Sequence, residues 1–178
     1  MANDADTPPL SRPCRIDEIE YGAEGEIAVT KSEMAAIATL LDLKALEDLA
    51  FAYRIRPGGG GRLHLSGRLK ARVTQTCVVS LDPVETSLDV PVEAEFWPVS
   101  LIEALDQNAE DPSGGFEWPE PIADGRIDFG PLIYESLATA LDPYPKREGA
   151  SFEWSQGAEP DRDAGSGPFA ALEELKRR

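Results

Sequence analysis

One histidine and two cysteines are the residues of this 178-residue chain best suited to nucleophilic or metal chemistry. Cys77 lies in Thr76–Val84, TCVVSLDPV, at the end of an alternating run and just before an Asp-Pro turn. A thiol nucleophile needs a base within hydrogen-bond reach, and a structural zinc needs about four Cys or His ligands. His64 is the sole imidazole and stands thirteen residues before Cys77, mid-strand on a polar face. Cys14 sits in a polar, Pro-flanked N-terminal stretch, so both cysteines are expected as reduced thiols. Gly58–Gly61 lacks the Gly-Lys-Ser/Thr ending of a phosphate-cradling loop and is read as a hairpin loop between strands. No nucleophile elbow or metal-ligand cluster is visible. The expectation is a protein that is not an enzyme, with no catalytic residue, no metal and no cofactor.

The charge pattern says more. The net charge is −16, which repels nucleic acid from the chain as a whole. Yet Phe51–Val73 carries Arg54, Arg56, Arg62, Arg68, Lys70 and Arg72 with no Asp or Glu. If the strands alternate as their apolar residues do, these six line one face of a two-stranded basic ribbon, together with His64. That ribbon is the expected site of RNA phosphate contact. A competing reading takes precedence over it: the next strand offers Glu85, Asp89, Glu93 and Glu95, and antiparallel pairing would set these against the basic side chains. Both readings coexist at the Arg54/Arg56 end. From Thr74 to Pro145 there are fifteen Asp or Glu against one Arg, a surface suited to a basic partner or to solubility alone. Exposure of Trp97, Phe116 and Trp118 there would favour a binding surface.

The elements that must position these residues follow from hydrophobic period. Glu24–Thr30 is expected as a short strand and Lys31–Leu46 as a helix, with Met34, Ile37, Leu40 and Leu41 on one face and Thr30 or Ser32 as cap. Leu49, Phe51, Tyr53 and Ile55 alternate, as do Leu63, Leu65, Leu69, Ala71 and Val73, with Gly67 marking a bulge or close packing. Val84, Leu88, Val90, Val92, Ala94 and Phe96 make a third run, and Pro91 places it at an edge or interrupts it. Ile127–Phe129 reads as a strand and Gly130–Leu141 as a helix started by Pro131. The fold class is α+β: a twisted antiparallel sheet, curling toward a partial barrel, with two main helices and a flexible C-terminal tail. Residues 1–19 are expected as a flexible lead-in and 20–145 as one domain, with 98–124 as an acidic loop. Residues 146–178 are expected as a mobile acidic tail with a short terminal helix through Phe169, Leu172 and Leu175. No apolar stretch reaches the length of a membrane helix and no signal-peptide pattern opens the chain, so the cytoplasm is the expected compartment.

In order along the chain, VTQTCVVSLDPVE, the acidic loop, GRIDFGPLIYESLATALDPYP and GPFAALEELKRR resemble the YceD family, the large ribosomal RNA subunit accumulation proteins. The resemblance spans roughly Ala71 to the C-terminus. It implies a cytoplasmic bacterial ribosome-biogenesis factor without catalytic activity. The expected partners are large-subunit (23S) ribosomal RNA, its precursor, or a basic ribosomal protein, with no membrane and no small-molecule substrate. The alternative is an acidic adaptor that binds a basic ribosomal protein and never touches RNA. Cys77, Asp128, Tyr134, Glu135 and Phe169 occupy family-motif positions. Many members carry Cys-x-x-Cys at the strand end and some a further cysteine after the later helix. Here Ser80 takes the second position and Asp142–Gly149 holds no cysteine, so a metal role in other members does not transfer.

Overall fold

A computed structural model describes residues 9–19, 23–106 and 118–151. The chain divides into a unit of residues 1–148 and a second of 149–178. The Phe169 helix and Phe116 lie outside the described residues.

Period-two patterning builds the centre. The described residues form strands β1 (Pro13–Arg15), β2 (Glu24–Ala28), β3 (Ala45–Pro57), β4 (Leu63–Thr76), β5 (Pro83–Pro98), β6 (Glu120–Ile122) and β7 (Arg126–Asp128), with α1 (Lys31–Leu40) after β2, α2 (Val99–Asp106) after β5 and α3 (Phe129–Ala140) after β7. Five strands form one sheet in the order β2-β3-β4-β5-β6, antiparallel except for β6, which runs parallel to β5. The sheet does not close on itself. β1 and β7 form a separate antiparallel pair.

Odd and even positions separate cleanly. Leu49, Phe51, Ile55, Leu65, Leu69, Val73, Val92 and Phe96 are buried on one face, covered by Ile37 and Ala38 of α1 and by Phe129, Ile133 and Leu137 of α3. The other face carries the charged side chains of β3, β4 and β5. Gly67 keeps the register unbroken between Tyr53 and Val92; it is a close-packing glycine, since a Cβ there would lie 2.6 Å from the Phe51 ring. The bulge falls instead between Leu46 and Asp48. Pro91 lies where β5 has a strand on one side only, which is where a residue without an N–H is tolerated.

Three segments depart from the sequence expectations. The first helix ends at Leu40, because Asp42 takes the left-handed conformation (φ 51°) and Leu43 N–H closes back on the Ala38 carbonyl at 2.8 Å. Leu40 is consequently exposed, and β3 begins four residues earlier than Leu49. The stretch read as an acidic loop holds α2 and β6, so the described residues form three α-helices and a mixed sheet. In the expected lead-in, Leu10 is buried and Pro13–Arg15 pairs with β7.

That N-terminal segment is fastened at two helix starts. Arg12 donates through both guanidinium nitrogens to Glu33, each at 2.7 Å. Glu33 also completes a capping box with Thr30 on α1. The Arg12 guanidinium first, then the Thr30 hydroxyl and N–H, hold the Glu33 carboxyl down at about 2, against an ordinary 4.5. A carboxylate lowered by folding contributes stability that is whole above its ordinary value and is lost as pH falls toward the lowered one. Replacing Glu33 with Gln should therefore lower the denaturation midpoint at pH 7. The gap to the parent chain should shrink as pH falls from 4.5 to 2, as urea unfolding followed by circular dichroism at stepped pH will register.

Candidate nucleic-acid and protein interface

The basic ribbon is built as its alternation demands. Arg54 and Arg56 stand on β3, and His64, Arg68, Lys70 and Arg72 on β4, all on the sheet face opposite the core. Arg62 lies in the connection between the strands. Gly60 and Gly61 turn that connection with φ of 73° and 77°, so the glycine run is a hairpin loop.

Carboxylates meet three of the six cations and the imidazole. Arg68 pairs with Asp89 at 3.3 Å and His64 Nδ1 with Glu95 at 3.0 Å, both across the β4–β5 seam. Two partners come from elsewhere: Glu24 of β2 bonds Arg54, and Glu47 of β3 bonds Arg72 at 3.1 Å. The Arg62 guanidinium stacks 3.8 Å above the Trp97 ring. Arg56 faces His64 in the register and has no carboxylate within ion-pair distance among the described residues. Lys70 stands opposite Asp89, which Arg68 engages. Such exposed pairs stabilise the fold by at most about 1 kcal/mol each. Their effect on the potential is larger, because a phosphate must now compete with a carboxylate for each cation.

Cys77 is fully buried just past the end of β4. Its sulfur accepts the N–H of Ser80 and that of Arg147, both at 3.4 Å. Its own N–H donates to the Asp82 carbonyl at 2.8 Å, and Val78 N–H donates to Pro145. Leu81, left-handed at φ 63°, completes the reversal together with Asp82-Pro83. Arg147 Nη1 then bonds the Asp82 carboxylate at 2.7 Å. Cys77 thus fastens the turn to the segment after α3. The N–H of Arg147, followed by the Ser80 contacts, holds the thiol down at about 6. His64 stands near the far end of β4, roughly 40 Å away at the rise of an extended strand, so no Cys–His pair forms. Cys14 and Cys77 are both free. Among the described residues, no group of three or more His, Cys, Asp or Glu is placed to hold a metal.

The other motif positions fall at the start and along the side of α3. Asp128 caps that helix by accepting Gly130 N–H at 2.8 Å, and also accepts Arg12 N–H at 2.6 Å and the Ser11 hydroxyl at 2.7 Å. Tyr134 packs partly buried against the core. Glu135 is exposed and, with Glu93, Glu95 and Glu120, lines a groove of about 580 Å³ between the edge of β5 and α3. Trp118, half exposed, lines the same groove. The ribbon and the Cys77 turn lie apart, and the groove touches the ribbon only at His64. Sequence periodicity flagged neither the groove nor the Glu24 and Glu47 partners.

The described residues thus form an open α+β sheet with one charged face and a buried thiol that fastens a turn. The family model described as large ribosomal RNA subunit accumulation protein YceD matches residues 65–176, more than half of the chain, and the chain belongs to the YceD family. The family is named for accumulation of large-subunit ribosomal RNA and not for a reaction. No curated protein and no solved structure matches the chain.

Proposed function

We propose that this protein supports large-subunit ribosomal RNA accumulation without catalysis, by holding a basic protein partner of the subunit. The observation that carries this reading is the partial neutralisation of the ribbon: Arg54, Arg68 and Arg72 each have a carboxylate partner, His64 bonds Glu95, and Arg62 is stacked on Trp97. What remains at the surface is an excess of negative charge in a chain of net −16, which attracts basic proteins and repels RNA. The family's name supplies the process; the electrostatics favour the kind of partner. No helix of the described residues is long and apolar enough to cross a membrane, in keeping with action at the ribosome in the cytoplasm.

Direct contact with the RNA or its precursor is the second reading, favoured by Arg56 and Lys70, which have no ion pair of their own among the described residues. To separate the two, the immobilised chain is presented with RNA-free large-subunit proteins and, in parallel, with protein-free large-subunit RNA. Retention of a basic protein at about 0.15 M salt, with the RNA in the flow-through, is the expected result. Retention of the RNA with no protein bound would overturn the proposal.

A further inference from the structure

The sheet stops along the outer edge of β5. β4 pairs with β5 without interruption from Thr76↔Pro83 to Leu63↔Phe96. On the other side, among the described residues, β5 has a neighbour only at Phe96–Pro98, where β6 lies parallel. The groove of about 580 Å³ opens along the unpaired part, with Val92 from β5 and Leu132 from α3 among its apolar lining. Its size falls within the range that holds small ligands or a few residues of peptide.

Its charge is one-sided. Glu93, Glu95, Glu120 and Glu135 line it, and no Lys or Arg does so among the described residues. Glu95 is engaged by His64 and by Trp97 Nε1 at 3.2 Å. Glu120 is not compensated in this way: burial, and then the negative charge of Glu135, push its carboxyl up. A cation placed between Glu120 and Glu135 would relieve that repulsion. A second copy of this chain, also at −16, is a poor occupant. Pro91, in the middle of the edge, has no N–H to offer, which blunts the edge against continuous strand addition and leaves recognition to side chains.

We infer that this groove receives an extended lysine- or arginine-bearing segment of a partner protein, its cations set among Glu93, Glu120 and Glu135 and its aliphatic parts on Val92 and Leu132. The inference rests on the protein-contact reading above and adds where the contact lies and what shape it takes. The probe is a fluorescent twelve-residue peptide of alternating lysine and valine, titrated into the full chain by anisotropy, with an alternating glutamate–valine peptide as control. The lysine peptide should bind at one site and shift the Val92 and Leu132 methyl signals in NMR spectra, and the glutamate peptide should not bind. Glu120→Gln with Glu135→Gln should weaken binding about tenfold, since two partly exposed charge pairs are lost. These isosteric changes remove a repulsion, so the variant should melt no lower than the parent. Glu26→Gln with Glu85→Gln makes the same charge change outside the groove and should leave binding within twofold. Equal loss in both double variants, or no peptide binding at all, would overturn the groove as the site. Large-subunit RNA bound more tightly than the peptide would instead overturn the protein-contact reading on which it rests.

Discussion

Gly130→Ala should lift the N-terminal segment off the molecule. A Cβ at this position would lie 2.0 Å from the Leu10 carbonyl oxygen and 2.5 Å from its carbon. Both are backbone atoms, so no side-chain rotation relieves the overlap. Either α3 or the segment 10–15 must move, and the segment has less to hold it. Its departure would expose Leu10 and part the Asp128 carboxylate from Arg12 N–H and the Ser11 hydroxyl. Release of the segment forfeits about 2 kcal/mol of leucine burial and about 1 kcal/mol for each of the two hydrogen bonds to Asp128, about 4 kcal/mol in all. Urea unfolding should report that loss, and hydrogen exchange should report early release of the β1 and β7 amides. A chain shortened by its first fifteen residues should be little further destabilised by Gly130→Ala, because the clash no longer has a partner. An unchanged midpoint in the full chain would show that Leu10 does not cross α3 at Gly130.

Phe51→Ala should cost about as much, by the opposite fault. Phe51 is fully buried at the centre of β3 and covers the strand at Gly67, where no side chain stands. Its ring also stacks with Tyr53 at 6.3 Å between centroids, and Tyr53 meets Phe129 of α3 at 4.6 Å. Truncation empties the space above Gly67 and loosens the contact between sheet and helix, at about 3–5 kcal/mol. Gly67→Ala alone should also destabilise, since its Cβ would meet the ring at 2.6 Å. In the double variant the new methyl fills part of the cavity. The two losses should then sum to more than the double variant shows, by about 1 kcal/mol or more, in a thermal-unfolding cycle. Strict additivity would mean that the ring does not rest on Gly67.

The central strands were legible because their apolar residues keep period two for long enough to fix both pairing and face. Leu49 to Ile55, Leu63 to Val73 and Val84 to Phe96 are buried or half-buried in the way their alternation requires. Three-residue strands carry no such period, so the pairing of Pro13–Arg15 with Arg126–Asp128 was hidden, as was the clamp of Asp128 and Gly130 on Leu10–Arg12. α2 and β6 were masked by the acidic composition around them. The ribbon residues themselves were identifiable from sequence, but two of their partners were not. A helix carried through Leu46 leaves Glu47 beyond the sheet, and nothing in Glu24 announces that β2 will lie beside Arg54. The groove joins β5, the stretch around Trp118–Glu120 and α3, and no local pattern links them.

That difference decides how the charge pattern bears on function. In the sequence the charged residues of Phe51–Val73 are all basic; in the fold they stand on a mixed face where Arg54, Arg68 and Arg72 are paired with carboxylates. The most direct measurement is the affinity of the full chain for large-subunit RNA across a salt series, for the parent and for Arg54→Glu with Arg56→Glu. Weak binding with a shallow salt slope, unchanged by the substitutions, is the result expected of a neutralised ribbon. Tight binding with a steep slope that falls by about one unit or more on substitution would place RNA phosphates on these arginines and contradict the account.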